Sequence, residues 1–301
     1  MKNGFRLTLL LSVVCGLGWS QAREMLVGDK PVRISEHVWG VMGFPNVGIV
    51  VGDRATLVVD TGLGRSNGEK VARMAAKLAA PGSTKLFLTA THFHPEHAGG
   101  VQGFPVSTIV VWDAMEQREM EKHGQEMIDM FRQRSAKNAE LLAGAVIPVP
   151  DVTFNTETAL NLGGVRVRLL WFGEAHTKGD ELIFVEGDDT LISGDVVQNK
   201  TMPMIFGDGG TPRSWLAVLD KVAKLPVKHV WPDHSAPGDG SLVASEKQLI
   251  EHIRSRALEL KQQGVSAEEA GKRVSAELKA AHPDWSNTNA GEFVKRVYAE
   301  R

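Results

Sequence analysis

From residue 47 onward, short runs rich in Val and Ile alternate with clusters of turn residues, a strand-like pattern. Val47–Val51 and Ala55–Val59 read as two strands joined by the turn Gly52-Asp53-Arg54. A helix follows with Val71, Met74, Ala75 and Leu78 on one face, closed by Pro81-Gly82. Lys85–Thr91 reads as a buried strand ending at His92, and Ser107–Trp112 as the next strand. Residues 113–143 are polar and helical in character, studded with Met115, Met120, Met127, Met130 and Phe131. Strands return at Val165–Phe172, Leu182–Glu186 and Thr190–Ser193, then a helix around Ser214–Leu225 and a last strand at Val227–Trp231.

The remainder is helical. Leu249, Ile253, Ala257 and Leu260 share a face, and Ser266 with Glu269 forms a capping box before Ala270, Val274 and Leu278. A short final helix carries Phe293, Val294, Val297 and Tyr298. Strand pairs in each half with helices between them suggest sheet packed on sheet with helices outside, an α+β arrangement. Periodicity alone leaves a doubly wound sheet open.

Composition changes the picture mainly at the start of the chain. Lys2 and Arg6 precede the apolar run Leu7–Leu17, with small residues at Ser20 and Ala22. That is the build of a secretory signal peptide, with cleavage expected after Ala22 and a periplasmic or secreted mature protein. The run is shorter than the roughly 20 apolar residues of a spanning helix, so no membrane attachment is expected after cleavage. Cys15 is the only cysteine and leaves with that leader. Any metal site in the mature chain therefore rests on His, Asp and Glu. The net charge of −2 and the lack of a basic stripe argue against a nucleic-acid partner.

His92-Phe93-His94-Pro95-Glu96-His97 packs three of the ten histidines and a carboxylate into six residues. Neutral imidazole with Asp or Glu is a normal zinc set. In a loop, unlike a helix, ligands one or two residues apart can point into one pocket. His176, Asp195 and His234 hold the same position, each just beyond the end of a strand, where sheet proteins gather ligands.

The succession VVDTG, HFHPEH, GEAHTKGD, SGDVV and PDHSAPG resembles the metallo-β-lactamase superfamily from about Ser35 to about Gly240. The resemblance implies a four-layer αββα sandwich over residues 23–245 after the 1–22 leader, with 246–301 as a helical extension packed on it. It also implies two divalent metal ions, zinc by expectation and iron as the alternative. His92, His94 and His176 would hold the first and Glu96, His97 and His234 the second, with Asp195 bridging. Asp60 would orient a ligand loop. Two departures stand out. Glu96 replaces the family's Asp, which moves the carboxylate by about one C–C bond. Pro232-Asp233-His234-Ser235 stands where PGHG is frequent, so the turn at His234 must be built differently.

The reaction so implied is hydrolysis of a small-molecule ester, thioester, lactone or amide-type bond by a hydroxide shared between the metals, with a carboxylate such as Glu96 or Asp195 relaying protons. β-Lactamase activity is possible but not favoured, since the principal zinc β-lactamases carry cysteine where this chain has Asp195. The lactonase branch uses a tyrosine near the metals, whereas the only one here is Tyr298 in the tail. Members with the same ligand pattern also include mononuclear iron persulfide dioxygenases, and a non-catalytic metal-binding accessory role is a third alternative. Asn199 and Lys200 are candidates to meet a substrate anion, and residues 113–143 are either a packed helical pair or a lid. Trp39, Trp112, Trp171, Trp215, Trp231 and Trp285 are read as core, and His37, His123, His229, His252 and His282 as structural or surface residues. Oligomeric state is not legible.

Overall fold

A computed structural model describes residues 24–207 and 209–300, so the expected leader, its cleavage point and Cys15 lie outside the described residues. Seven strands form the first sheet in chain order: β1 (Val27–Arg33), β2 (Val38–Gly43), β3 (Val47–Val51), β4 (Ala55–Val59), β5 (Lys85–Thr89), β6 (Ile109–Asp113) and β7 (Val152–Phe154). The first four are joined antiparallel, while β4 through β7 run parallel. The second sheet comprises β8 (Glu157–Asn161), β9 (Arg166–Trp171), β10 (Glu181–Glu186), β11 (Thr190–Gly194), β12 (His229–Pro232) and β13 (Gly238–Asp239). In that sheet only the β11–β12 pairing is parallel.

Helices α1 (Gly64–Leu78), α2 (Pro95–Ala98), α3 (Ala114–Arg134) and α4 (Ala136–Leu141) interleave with the first sheet. Helices α5 (Pro212–Val222), α6 (Ser241–Gln262), α7 (Ala267–Ala281) and α8 (Gly291–Ala299) follow the strands of the second. Strand alternation explains the layering. In β4, Leu57 and Val59 enter the core between the sheets, while Val58 packs with Val71, Met74 and Met120 beneath the first helical layer. In β10, Ile183 and Val185 face the first sheet, and Leu182 and Phe184 face Trp215, Ile253, Val274 and Phe293. A one-residue slip of either strand would exchange the two faces, so burial on both sides pins the register. The result is an αββα sandwich, the α+β class expected from the motifs.

Trp231 fills the inter-sheet core at the end of β12 that leads to His234 and is fully buried. Its ring occupies the space above Gly40 of β2, where a Cβ would come within 2.3 Å of the indole. Gly40 is therefore the cavity for Trp231, which fixes the strand ahead of His234.

The structure departs from the sequence reading in several places. Strands β1, β2, β7, β8 and β13 lack the Val/Ile-rich signature and were not anticipated. The strand read to Thr91 stops at Thr89, so His92 sits within the following loop, three positions beyond the strand. The boundary drawn between 245 and 246 falls inside α6, whose Val243, Ile250 and Ile253 belong to one core cluster with β10 and β12. Ser266 caps α7 by accepting from the Glu269 N–H, but the Glu269 carboxylate pairs with Arg273, leaving half of the box. Residues 113–143 form the packed pair α3 and α4, with Met120, Met127 and Phe131 turned into the first-layer core. Trp112, Trp215 and Trp231 are core residues, whereas Trp285 is only half-buried and stacks on His282 with ring centroids 4.0 Å apart.

Candidate metal centre

Four segments end at one edge of the sandwich. The β5–α2 loop carries His92 and His94, and α2 carries Glu96 and His97; the loop after β9 carries His176; Asp195 follows β11, and His234 follows β12. Pro95 opens α2 and lets the chain turn immediately after His94, so that Glu96 and His97 rise on the first helical turn.

The structure brings all seven side chains together. His92 Nε2 lies 2.9 Å from His94 Nδ1, and His176 Nε2 lies 3.4 Å from the same atom. His97 Nε2 and His234 Nε2 are 3.2 Å apart. Asp195 Oδ2 stands between the two groups, 3.2 Å from His176 Nε2, 3.7 Å from His234 Nε2 and 3.9 Å from His92 Nε2. Glu96, His97 and His234 form a donor group within 4.8 Å, as do His92, His94 and His176, and His92, His97 and Asp195. The longer Glu96 side chain thus still reaches the second group, and its Oε2 is buried without a hydrogen-bond partner.

These donors fit divalent cations better than they fit one another. Imidazole nitrogens aimed at each other at 2.9–3.4 Å bring lone pairs together unless a cation or proton separates them. Burial pushes His92 well below the usual imidazole range, with His97 and His94 adding to it, and does the same to His94 with help from His176. Burial, only partly opposed by Asp195, brings His234 down to about 4. Neutral imidazole is the ligating form. Burial opposes the Asp195 charge, yet His234, His176 and His97 hold its carboxyl below the usual range. Burial also lifts Glu96 to about 7, against the pull of His97. An all-nitrogen and oxygen donor set suits zinc and does not exclude iron.

Orientation of the ligands comes from a buried tier behind them. Asp60 holds the left-handed region at φ 68°, where its carboxylate accepts the Thr91 N–H at 2.7 Å and faces His97 Nδ1 at 3.0 Å. A non-glycine residue there stores strain, which the surrounding bonds over-determine. Thr61 Oγ1 donates to the His97 carbonyl at 2.7 Å and accepts the Gly100 N–H, fastening the VVDTG segment to the histidine loop. Asp233, fully buried, accepts from Thr91 Oγ1 at 2.8 Å and approaches His97 Nδ1 at 3.3 Å. Burial lowers His97 first, but Asp60 and Asp233 outweigh it and hold its proton well above the usual range. Asp233 is thus how the turn departing from PGHG is built, helped by Asn46, whose Nδ2 donates to the Pro232 and Ser235 carbonyls. Sequence reasoning noted Asp233 only as a departure and missed its role; a buried acid beside a ligand looks like a turn residue in the sequence. The Met204 carbonyl lies 2.6 Å from His176 Nδ1, and Gln198 Nε2 donates to Asp195 Oδ1.

Above the donors lies a cavity of about 380 Å³ walled by Phe44, Phe131, Met202, Met204 and Phe206, with Ser286 and Asn287 from the C-terminal region. Arg134 at the end of α3 is the one Lys or Arg on its wall among the described residues, its guanidinium 3.7 Å from the Phe131 ring centroid. Asn199 and Lys200 do not line this cavity; Lys200 Nζ pairs with Asp284 at 2.9 Å beside a second one. The end of α3 therefore touches the site, while Met120 and Met127 pack inward.

Comparison with known proteins agrees with this geometry. The metallo-beta-lactamase superfamily profile matches residues 40–234, which contain every donor described. No curated protein matches the chain. Among solved structures, a metallo-beta-lactamase from Pontibacter korlensis superposes with a TM-score of 0.57 at 21% identity, covering 74% of this chain and 98% of that one. DIM-1 metallo-beta-lactamase gives 0.58 at 15% identity, with 75% and 99% covered. VMB-1 gives 0.59 at 15% identity, with 76% and 98% covered. At such identities these likenesses speak for the fold alone. With the profile spanning residues 40–234 and the same fold recovered in solved structures, the chain belongs to the metallo-beta-lactamase superfamily, whose members are mostly metal-dependent hydrolases.

Proposed function

We propose that the protein is an exported hydrolase with a two-metal centre, acting on an ester, thioester, lactone or amide-type bond of a small molecule. The observation that carries this is the pair of buried donor groups meeting at Asp195 Oδ2. His92, His94 and His176 would hold one ion, and Glu96, His97 and His234 the other, with Asp195 between them. Divalent ions bound there supply Lewis acidity and a water that ionises near neutral pH. The rest falls to the chain. Burial keeps His92, His94 and His234 neutral, Asp60 and Asp233 keep the His97 Nδ1 proton in place, and Gln198 fixes Asp195 through its Oδ1.

The cavity walls support a narrower substrate class. Apolar Phe44, Phe131, Met202, Met204 and Phe206 with the single guanidinium of Arg134 suit a molecule with an apolar body and one anionic group. Phe131 and Phe206 also displace water from the ground above His94, which strengthens every electrostatic contact there. Export rests on the leader-like residues 1–22, and N-terminal sequencing of the protein recovered from the producing cell tests it.

Elemental analysis of the mature protein, beside His94→Ala and Glu96→Ala, tests the centre. About two zinc ions per chain, partly lost in Glu96→Ala, supports the reading and sends the protein to ester, thioester, lactone and β-lactam panels. One iron per chain, indifferent to Glu96→Ala, sinks it in favour of persulfide oxidation.

A further inference from the structure

A second cavity of about 500 Å³ lies behind the Asp195 loop, between that loop and the C-terminal helices. It shares Gln198 and Thr201 with the metal cavity, but none of the seven donors lines it. Its walls are Leu242 and Leu249 of α6 and Leu278 and Ala281 of α7, with Trp285 stacked on His282. Among these residues sits Glu246, only 3% exposed, whose Oε1 has no hydrogen-bond partner.

A buried carboxyl with an unpaired oxygen on the wall of an open cavity needs an explanation, because an unsatisfied buried polar atom costs about 1–3 kcal/mol. Nothing in the lining supplies a cation to it. Lys200 is committed to Asp284, and the other lining acid, Glu277, is already held by Arg256 at 2.9 Å. The Gln198 backbone N–H is the one bond that favours its charge, while burial and the nearby Asp195 push its carboxyl well above the ordinary range. The cavity thus offers an uncommitted carboxyl, an aromatic platform and aliphatic walls. Carboxylate and indole face are the groups that together select a cation carrying an apolar body.

We propose that this second cavity binds an organic ammonium ion with an apolar body, its nitrogen on Glu246 and its body against Trp285 and the leucines of α6 and α7. An ammonium on Oε1 satisfies the unpaired oxygen and favours the charged form of the carboxyl. The other ionisable groups facing the cavity are His252, His282, Lys200 with Asp284, and Glu277 with Arg256. The site is separate from the donors of the metal centre, so it stands or falls independently of the hydrolase reading.

The test is calorimetric titration of the full-length, metal-replete protein with 2-phenylethylammonium chloride, beside its neutral analogue 2-phenylethanol. Saturable one-to-one binding is expected for the amine, at least about tenfold weaker for the alcohol and about tenfold weaker for Glu246→Gln. Leu249→Trp, which fills the cavity and keeps the Glu246 carboxyl, gives the same loss and serves if Glu246→Gln does not fold. Arg134→Met, on the metal cavity, leaves the amine affinity unchanged. Heat that survives both Glu246→Gln and Leu249→Trp places the amine elsewhere and overturns the proposal, as does equal affinity for the alcohol or no saturable heat.

Discussion

Asp60→Asn isolates the part that charge plays in orienting the histidine loop. Asparagine tolerates the left-handed conformation at φ 68° about as well as aspartate, so the backbone is preserved. Its carbonyl can still accept the Thr91 N–H, which the carboxylate holds at 2.7 Å. The amide nitrogen, however, takes the place of Oδ2, 3.0 Å from His97 Nδ1. When His97 ligates through Nε2, Nδ1 carries the proton, and two donors then meet. The lost charge-assisted bond is worth about 1.5–3 kcal/mol. Asp233 Oδ2, 3.3 Å from the same nitrogen, remains as an acceptor, so the loss falls toward the lower end. Losing such an orienting partner weakens metal affinity about 10–100-fold, and here about tenfold is expected for the ion held by His97. The affinity for an ion at His92, His94 and His176, as proposed, should change little. Stepwise zinc titration of metal-stripped protein against a chromophoric chelator reads the two affinities separately. Unchanged affinity for both ions would refute the orienting role, and equal loss of both would refute its selectivity. Asp60→Asn combined with Asp233→Asn should exceed the sum of the single losses.

Three further outcomes follow from other parts of the molecule. Glu116 is fully buried with both oxygens unpartnered, and burial, then Asp113 and Glu181, push its carboxyl well up. A raised carboxyl costs stability above its unfolded value, about 4.3, so Glu116→Gln should stabilise by about 1–3 kcal/mol at pH 7.5. That gain should shrink toward zero below about pH 4, as read by chemical denaturation across pH, and a gain constant with pH would discount the charge. Arg134→Met should raise KM for anionic substrates about tenfold or more while leaving neutral esters within about twofold, as steady-state kinetics would reveal. Gly40→Ala drives a methyl to within 2.3 Å of the Trp231 ring and should lower stability by about 1–3 kcal/mol in thermal melts, with metal affinity at His234 falling in parallel.

How much of this was legible in the sequence depends on which force shapes each element. Strands buried on both faces, such as β4 and β10, announce themselves as Val- and Ile-rich runs because two cores select them. β1 carries Pro31 and is half exposed, so it has no apolar run to read, and the apolar run of β2 is interrupted by Gly40, which makes room for Trp231. The seven donors were legible because three histidines and an acid in six residues have little structural use, and because the others each follow a strand. Asp233 and Arg134 were not. The first acts only through Thr91 and His97, which the fold brings from 142 and 136 residues away. The second is an arginine at a helix end, ordinary in sequence until α3 aims it at the cavity.

The wall contributed by Ser286 and Asn287 sets an order on how the centre is put together. Every donor lies at or before His234, whereas the last wall residue follows 53 positions later, between α7 and α8. Until those helices settle during folding, the donors would face solvent across a wider mouth than the finished cavity has. Ions would therefore enter more freely before that wall is complete than they would leave after it. The C-terminal helices act in this sense as a late-closing door on metallation, and truncating them should hasten metal loss even where every ligand is intact.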